Sequence, residues 1–415
     1  MKILWVKANK ILPVQSGGDI RSYNIVRQLA LRHEVTFLSY YDGAPDADYE
    51  RDFKNLFPNG VCIATRKTNA TGVRRGVDYV LGYFQAAAPY AVSRFACKPV
   101  RKKLRRLYSE RAFDVVVADF LDAAVNLPEL TITTVLFQHN VESEIWRRYA
   151  VTSHGLWKLL YRAEFAKMLH YEQEMVRKFH HVVAVSESDR RLMSAWTDAS
   201  RITVVPTGVD LEKFRPERST SEPAPLVMFV GAMDWEPNID AAEYFCVEIW
   251  PSVLGQIPDA RFRIVGRNPD RRVQKLASSS VEVTGSVQSV VNHLREACVV
   301  VVPLRIGGGT RLKIYEAMAM GKSVVSTSVG AEGLDVHGGR DIMLADTASQ
   351  FSQAVLMLLR DASVRSGYER AGREVASHYG WPAIANKFSE ALENAVETDF
   401  SDRENPEALN RLAVR

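Results

Sequence analysis

Residues Val299 to Gly321 read VVVVPLRIGGGTRLKIYEAMAMG. The valine run describes a strand buried on both faces, the kind that parallel sheets contain. Three glycines, Gly307, Gly308 and Gly309, follow, and then a helix. Glycines let backbone come close to a phosphate, and a helix N-terminus offers free N–H groups and the positive end of its dipole. Arg311 and Lys313 sit where they can neutralise a diphosphate, with backbone N–H groups of Thr310 and the glycines beside them. Glu316, about a turn and a half into the helix, can accept hydrogen bonds from two ribose hydroxyls. A tight strand-to-helix turn with a solvated charged face explains the glycines alone. It does not explain why Arg311, Lys313 and Glu316 accompany them.

Outward from this unit, short apolar runs alternate with amphipathic stretches along the whole chain, as expected of an α/β protein with helices covering parallel sheets. In the first half, strands are expected at Ile3 to Val6, Glu34 to Ser39, Val61 to Ala64, Asp114 to Ala118, Thr133 to Phe137, Val182 to Val185 and Ile202 to Val205. The second half repeats the pattern at Leu226 to Val230, Arg261 to Val265, Val281 to Val283, Val299 to Val302, Ser323 to Ser326 and Ile342 to Leu344. Ile239, Ala242, Cys246, Ile249, Trp250 and Val253 recur at helical spacing and supply one apolar face. The polar, proline-rich KFRPERSTSEPAP reads as a linker. The expected organisation is therefore a Rossmann-like domain over 1–212, a linker over 213–225 and a second Rossmann-like domain over 226–380. A helix at about 381–396 is expected to pack back on the first domain, with a disordered tail over 397–415.

At 415 residues the chain is long enough for two hydrophobic cores. Its 47% hydrophobic and 25% charged residues are those of an ordinary globular protein. A net charge of +4 is too small to announce a nucleic-acid partner. Cys62, Cys97, Cys246 and Cys298 stand far apart, with no CxxC and no paired histidine spacing for zinc, and read as reduced and mostly buried. Asp46-Ala47-Asp48 lies in a polar loop and looks incidental, so no metal site is expected. The chain enters a strand directly from Met1, and no run approaches 18 apolar residues, so a cytoplasmic protein is expected.

The segment GGGTRLKIYEAMAMGKSVVSTSVGAEGL resembles one branch of the retaining glycosyltransferases of family 4, which have the two-domain GT-B fold. SGGDIRSYNIVRQLA, FQHNVESEIWRR, VVAVSESD, VVPTGVDLEKF, FVGAMDWEPNIDAAEYF and VTGSVQSV fall in the order of that family, so the resemblance spans nearly the whole chain. It implies a sugar moved from a nucleotide diphosphate donor, UDP- or GDP-linked, to a hydroxyl acceptor, with retention and no obligatory metal or other cofactor. Bacterial polysaccharide or glycoconjugate synthesis is the implied setting, and the acceptor a glycan, a lipid-linked species or a small molecule.

Two departures from the family pattern stand out. Glu316 matches the ribose-binding glutamate, but the position of the partner glutamate that contacts the donor sugar holds Gly308. Relatives also carry an arginine after the glycine equivalent to Gly231, and a lysine several residues later. This chain has Ala232 and Asn238 there, so Arg311 and Lys313 are expected to supply the charge, with Arg267 a weaker source. Val287 lies where relatives hold the base by backbone groups.

In the first half, Gly17 and Gly18 precede a helix and can present N–H groups to the diphosphate or the sugar. His139 follows a strand, where the family places a histidine that contacts the donor sugar or its phosphate. A lone histidine is more often structural, but Gln138, Asn140 and Glu142 give it polar company, and an imidazole can donate to a departing charge or orient a hydroxyl. Asn140 and Glu142, with Glu144, are candidates for the acceptor. Ser186 and the turn Pro206 to Asp210 suit a helix cap and a turn at least as well as a ligand. Between Arg94 and Arg111 lie eight basic residues against Glu110 alone, with Val100, Leu104, Leu107 and Tyr108 on one helical face. That describes either a basic amphipathic helix for an anionic membrane or a helix packed on its own domain. Closure of the two domains would bring His139 and the Gly17-Gly18 loop to the donor sugar. A nucleotide-sugar 2-epimerase and a catalytically silent binding subunit are the alternative readings.

Overall fold

A computed structural model of the chain describes residues 1–14, 16–65, 89–217, 224–306 and 310–404. The chain divides into two compact units: Met1–Val205 with Ile384–Arg415, and Pro206–Ala383. The second unit thus begins within the stretch that the sequence assigns to the first domain.

The first unit is built on a seven-stranded parallel sheet, in the order β3-β2-β1-β4-β5-β6-β7. Its strands are β1 (Lys2–Ala8), β2 (Glu34–Tyr41), β3 (Val61–Ala64), β4 (Val115–Asp119), β5 (Thr133–Phe137), β6 (His181–Ala184) and β7 (Ile202–Val204). The order reverses between β1 and β4, the switch point outside which doubly wound sheets bind ligands. The central strands are buried on both faces, which is why they read as unbroken apolar runs.

Chain returning from the second unit completes the first core. In the helix Trp381–Glu404, Phe388 packs 5.3 Å from the Trp5 ring and 4.9 Å from Phe137. The helix runs eight residues into the tail expected to be disordered from 397, because Thr133 Oγ1 donates to Asp399 (2.6 Å) and holds its last turns on the sheet. Residues 405–415 lie outside those described.

The helix Lys98–Glu110 turns Val100, Leu104 and Leu107 into the core of its own unit and exposes Lys98, Arg101, Lys102, Arg105 and Arg106. Of the two readings of 94–111, the fold realises the packed helix. Its apolar face is used internally, and only its charge faces solvent.

The second unit carries a six-stranded parallel sheet, in the order β10-β9-β8-β11-β12-β13. The strands are β8 (Leu226–Val230), β9 (Arg261–Val265), β10 (Val281–Val283), β11 (Val299–Val302), β12 (Ser323–Ser326) and β13 (Met343–Leu344). The amphipathic stretch after β8 is a helix, Glu236–Tyr244, that passes through a π turn, Phe245–Ile249, into Trp250–Gln256. The π turn shifts the buried face by one position. Phe245 is buried against Phe262 (4.3 Å between rings), and Cys246, expected on the core face, is half-buried. A capping box at Thr347 and Gln350 starts the helix Ala348–Arg360.

Candidate active site

The carboxyl edge of the second sheet collects most of the donor residues expected from sequence. Gly231 follows β8, and Gly266 follows β9. A Cβ on Gly266 would stand 1.6 Å from the Gly231 carbonyl oxygen, so only glycine lets these loops touch. A Cβ on Gly231 would stand 2.7 Å from Asn238 Cγ. The room left by Gly231 is filled by the Asn238 side chain, which donates to Ala232 O (2.9 Å) and accepts from Lys313 Nζ (3.0 Å). Arg267 is half-buried, and its carbonyl accepts from Met233 N (3.0 Å), bracing the loop after Gly231. Val287 is half-buried beyond β10, after Gly285, whose φ of +70° suits glycine.

Lys313 belongs to the helix Leu312–Ala319, whose N-cap is the buried Arg311. Its ammonium lies 4.7 Å above the Phe229 ring of β8. Burial pushes the Lys313 amine down to about 7, Arg311 adds to the shift, and Glu316 opposes it. Burial pushes the Glu316 carboxyl up to about 7, against Lys213 and Lys313. A cation and a carboxylate that both titrate near neutrality, on one helix at a sheet's carboxyl edge, form a site poised for a charged ligand. Gly307, Gly308 and Gly309 lie outside the described residues, and Thr310 is half-buried beside them. Arg305, also in this loop, is tied off by Asp240 (2.5 and 3.1 Å).

In the first unit the carboxyl edge holds a buried chain of charges centred on His139. Ser16 Oγ caps the helix Gly17–Leu29, and a Cβ on Gly18 would lie 3.9 Å from His139 Nδ1. The glycine pair and the histidine are therefore neighbours. Arg21 Nη1 lies 2.9 Å from His139 Nδ1, and Asp119 Oδ1 lies 2.6 Å from Nε2. A guanidinium only donates and a carboxylate only accepts, so this geometry fixes the neutral imidazole with its proton on Nε2. Burial lowers the His139 pKa, and Asp119 works against it. Asp119 also accepts from Trp5 Nε1 (3.0 Å) and pairs with Lys7 (3.4 Å), which reaches Asp19 (3.4 Å). Burial acts to raise the Asp119 carboxyl, but Lys7 and His139 more than offset it and hold it below the usual range. Both ring nitrogens of His139 are engaged within the protein.

Beyond β5, Gln138 Oε1 and Asn140 Oδ1 are sealed from solvent with no hydrogen-bond partner among the described residues. Oxygens in that state suit ligand hydroxyls. Glu142 is half-buried at the start of the helix Glu142–Thr152. Burial, with Glu172 and Asp122 adding, pushes its carboxyl up to about 8. Glu172 accepts from Glu142 N (2.8 Å), Ser143 N (3.0 Å) and Gln138 Nε2 (3.0 Å), and so caps that helix from a distance.

Other candidates have local work. Glu144 is held by Arg147 (2.5 and 2.7 Å) and Arg148 (3.3 Å), and Ser186 caps the helix Glu187–Met193. Asp46 caps the helix Ala47–Leu56 and pairs with Lys10 (2.5 Å). Among the described residues no three His, Cys, Asp or Glu side chains are grouped to hold a metal ion, and no helix is long and apolar enough to cross a membrane. A cavity lined by Arg261, Arg263, Lys322 and Arg373 lies at the opposite, amino edge of the second sheet, away from these residues.

Sequence reasoning missed Lys7, Arg21, Asp119 and Glu172. Asp119 closes a strand and was within reach of a search of strand ends. Arg21 and Glu172 lie in helices and give no local signal.

With the geometry in place, comparison with known proteins gives the class. The family described as Glycosyltransferase Family 4 matches residues 16–213, and the family described as Glycosyl transferases group 1 matches residues 224–361. Together they cover most of the chain, which belongs to these glycosyltransferases.

Among curated relatives, an uncharacterized 44.6 kDa protein in the cps region of Klebsiella pneumoniae is 21% identical over 63% of this chain and 70% of its own length. A phosphatidyl-myo-inositol mannosyltransferase of Mycobacterium leprae is 25% identical over 54% of this chain and 63% of its own, so less than two thirds of that enzyme is matched. Among solved structures, sucrose-phosphate synthase of Thermosynechococcus elongatus superposes with a TM-score of 0.71 over 96% of this chain and all of its own, at 16% identity. Anabaena HepE in complex with UDP gives 0.65 over 95% of this chain and all of its own, at 14% identity. At such identities the likeness establishes the fold, which is GT-B, with two Rossmann-like units.

Proposed function

We propose that this chain moves a sugar from a UDP- or GDP-linked donor to a hydroxyl acceptor with retention of configuration, in bacterial polysaccharide or glycoconjugate synthesis. The observation that carries the reading is the junction of Lys313, Asn238 and Glu316 at the carboxyl edge of the second sheet. Glu316 takes the ribose. Lys313 and Arg311, with N–H groups of Thr310 and the glycines, take the diphosphate, and Gly231, Arg267 and Val287 complete the walls. In the first unit, the helix N-terminus at Gly17 and Gly18 faces donor oxygens, while Asn140 and Glu142 serve the acceptor. Cations and N–H dipoles aimed at the departing diphosphate stabilise charge as it develops, a form of catalysis that needs no protein nucleophile. His139, held neutral by Arg21 and Asp119, acts as a fixed wall beside Gly18, with both its ring nitrogens bonded inside the protein.

The relative in Mycobacterium leprae is by its description a phosphatidylinositol mannosyltransferase. It supports an acceptor carried on a lipid and work at the inner membrane face, where the exposed basic side chains of the helix Lys98–Glu110 add electrostatic attraction.

Gly308, standing where the family has a sugar-contacting glutamate, favours a second reading in which the chain binds nucleotide or glycan without turnover. Incubation with UDP- and GDP-sugars and a panel of hydroxyl acceptors, with NMR of the products, separates the two. A glycoside of the donor's anomeric configuration supports transfer with retention. The opposite anomer sinks retention, and an epimerised free nucleotide sugar sinks transfer. Nucleotide bound without turnover supports the binding subunit.

A further inference from the structure

The first unit carries a helical hairpin whose end is unlike the rest of its surface. The helix Glu142–Thr152 starts beside the His139 cluster and runs 11 residues, about 16 Å, before the chain turns at Ser153 and His154. It returns through the helix Gly155–Lys178, 24 residues or about 36 Å long, which leads into the amino end of β6. Strand β6 has four residues, about 13 Å, so the hairpin end stands well beyond the sheet's carboxyl edge, on the side of His139, Asn140 and Glu142.

At that end Val151 is 64% exposed, Trp157 64% and Leu159 62%. Trp157 and Leu159 are two positions apart on a helix, so they point about 200° apart, and no single flat protein face covers both. What receives them must surround the tip. Aromatic rings form a column behind it: Trp157 stacks on Tyr161 (6.1 Å), which lies 5.6 Å from Tyr149 and 6.1 Å from Trp146. From Ile145 to Ala163 there is no Asp or Glu; Arg147 and Arg148 are held by Glu144, while Lys158 and Arg162 flank the tip on the returning helix. An apolar end with a tryptophan and tyrosines, with Lys158 and Arg162 beside it, matches the layered chemistry of a bilayer interface, with acyl chains inside and anionic phosphate outside.

We infer that the tip formed by Val151, Trp157 and Leu159 inserts end-on into an anionic lipid surface. This is a separate surface from the helix Lys98–Glu110, whose apolar side chains are buried in its own core. It holds the carboxyl edge of the first sheet close to the membrane. Vesicle binding without nucleotide reads it independently of the donor assignment.

The test is co-sedimentation of the full chain with vesicles of phosphatidylglycerol and phosphatidylethanolamine, against vesicles of phosphatidylcholine alone. The wild type should pellet with the anionic vesicles, and Trp157→Ser with Leu159→Ser should weaken that binding at least about tenfold, with an unchanged melting temperature and unchanged turnover of a soluble acceptor. Trp157→Tyr should restore most of it. Brominated lipids should quench the wild type measurably more than Trp157→Phe. Equal binding by wild type and double variant overturns the inference, as does a wild type that stays in the supernatant. Sedimentation velocity showing a dimer that Trp157→Ser dissociates, without vesicle binding, assigns the tip to a second copy and also overturns it.

Discussion

Lys313 Nζ lies 3.0 Å from Asn238 Oδ1, so the cation of one helix is fixed by the amide of another. The resemblance places a lysine near Asn238 in related enzymes. Here Asn238 stands at that place and holds Lys313, a cation that comes from a different helix. Lys313→Asn should therefore weaken donor binding by about 100-fold, as expected when a charged hydrogen bond worth about 1.5–3 kcal/mol is lost. The exchange Asn238→Lys with Lys313→Asn should recover at least tenfold of that loss. Calorimetry with the nucleotide diphosphate measures both, and no recovery would mean that the place of the cation, beyond its presence, decides binding.

The shared titration range of Lys313 and Glu316 predicts a bell-shaped pH dependence of donor affinity, with its maximum near 7. Above that pH the free amine loses its proton, and binding a diphosphate must restore it, so affinity falls. Below it the free carboxyl is protonated and accepts poorly from ribose hydroxyls, so affinity falls again. Glu316→Gln should flatten the acid limb, and Lys313→Arg the alkaline limb. A profile that is flat from pH 6 to 8 would contradict the assignment.

Asp119 lies buried between Lys7 (3.4 Å) and His139 (2.6 Å) and contacts both. Asp119→Asn leaves the buried Lys7 with Asp19 alone, which should cost up to about 3–5 kcal/mol of stability in chemical denaturation. His139→Gln should cost less stability but reduce kcat. If Asp119→Asn is as stable as the wild type, the charge chain is not what holds this edge together.

At Gly266 the added methyl of Gly266→Ala would meet the Gly231 carbonyl at 1.6 Å. Backbone must move to admit it, so the expected cost is on the order of 1–3 kcal/mol, with loss of donor binding. A variant with wild-type melting and affinity would show that the loops are free to separate.

His181, at the start of β6, is pushed down to about 4 by burial, with Arg201 adding to the shift. The unfolded chain takes up a proton below about 6.5 while the folded protein resists until about 4. Its contribution to stability is therefore complete above 6.5 and lost as pH falls through that window, by about 3 kcal/mol. His181→Gln should remove most of that dependence in denaturation curves taken across the same range.

The sheets were legible because parallel strands buried on both faces appear as short apolar runs, and each of the expected runs is a strand. The strand ends were less so. β1 extends through Lys7, a charged residue that ends an apolar run on paper but is buried between Asp19 and Asp119 in the fold. The π turn at Phe245–Ile249 inserts a residue into a helical period, which no fixed spacing anticipates. In the site, Glu316, Lys313 and Gly18 announced themselves by residue type beside a strand or helix end. Asn238 gave no such signal, since an amide in a helix has a use only when a partner 75 residues away arrives. The Arg21 to His139 contact spans 118 residues and was hidden for the same reason.

The most direct test of the central claim is calorimetric titration of the purified protein with UDP, GDP, ADP and TDP, with and without magnesium, in parallel with Glu316→Ala. One nucleotide is predicted to bind tightly without magnesium, and Glu316→Ala to lose that binding. Binding of no nucleotide, or undiminished binding by Glu316→Ala, would contradict a donor site built on the helix Leu312–Ala319.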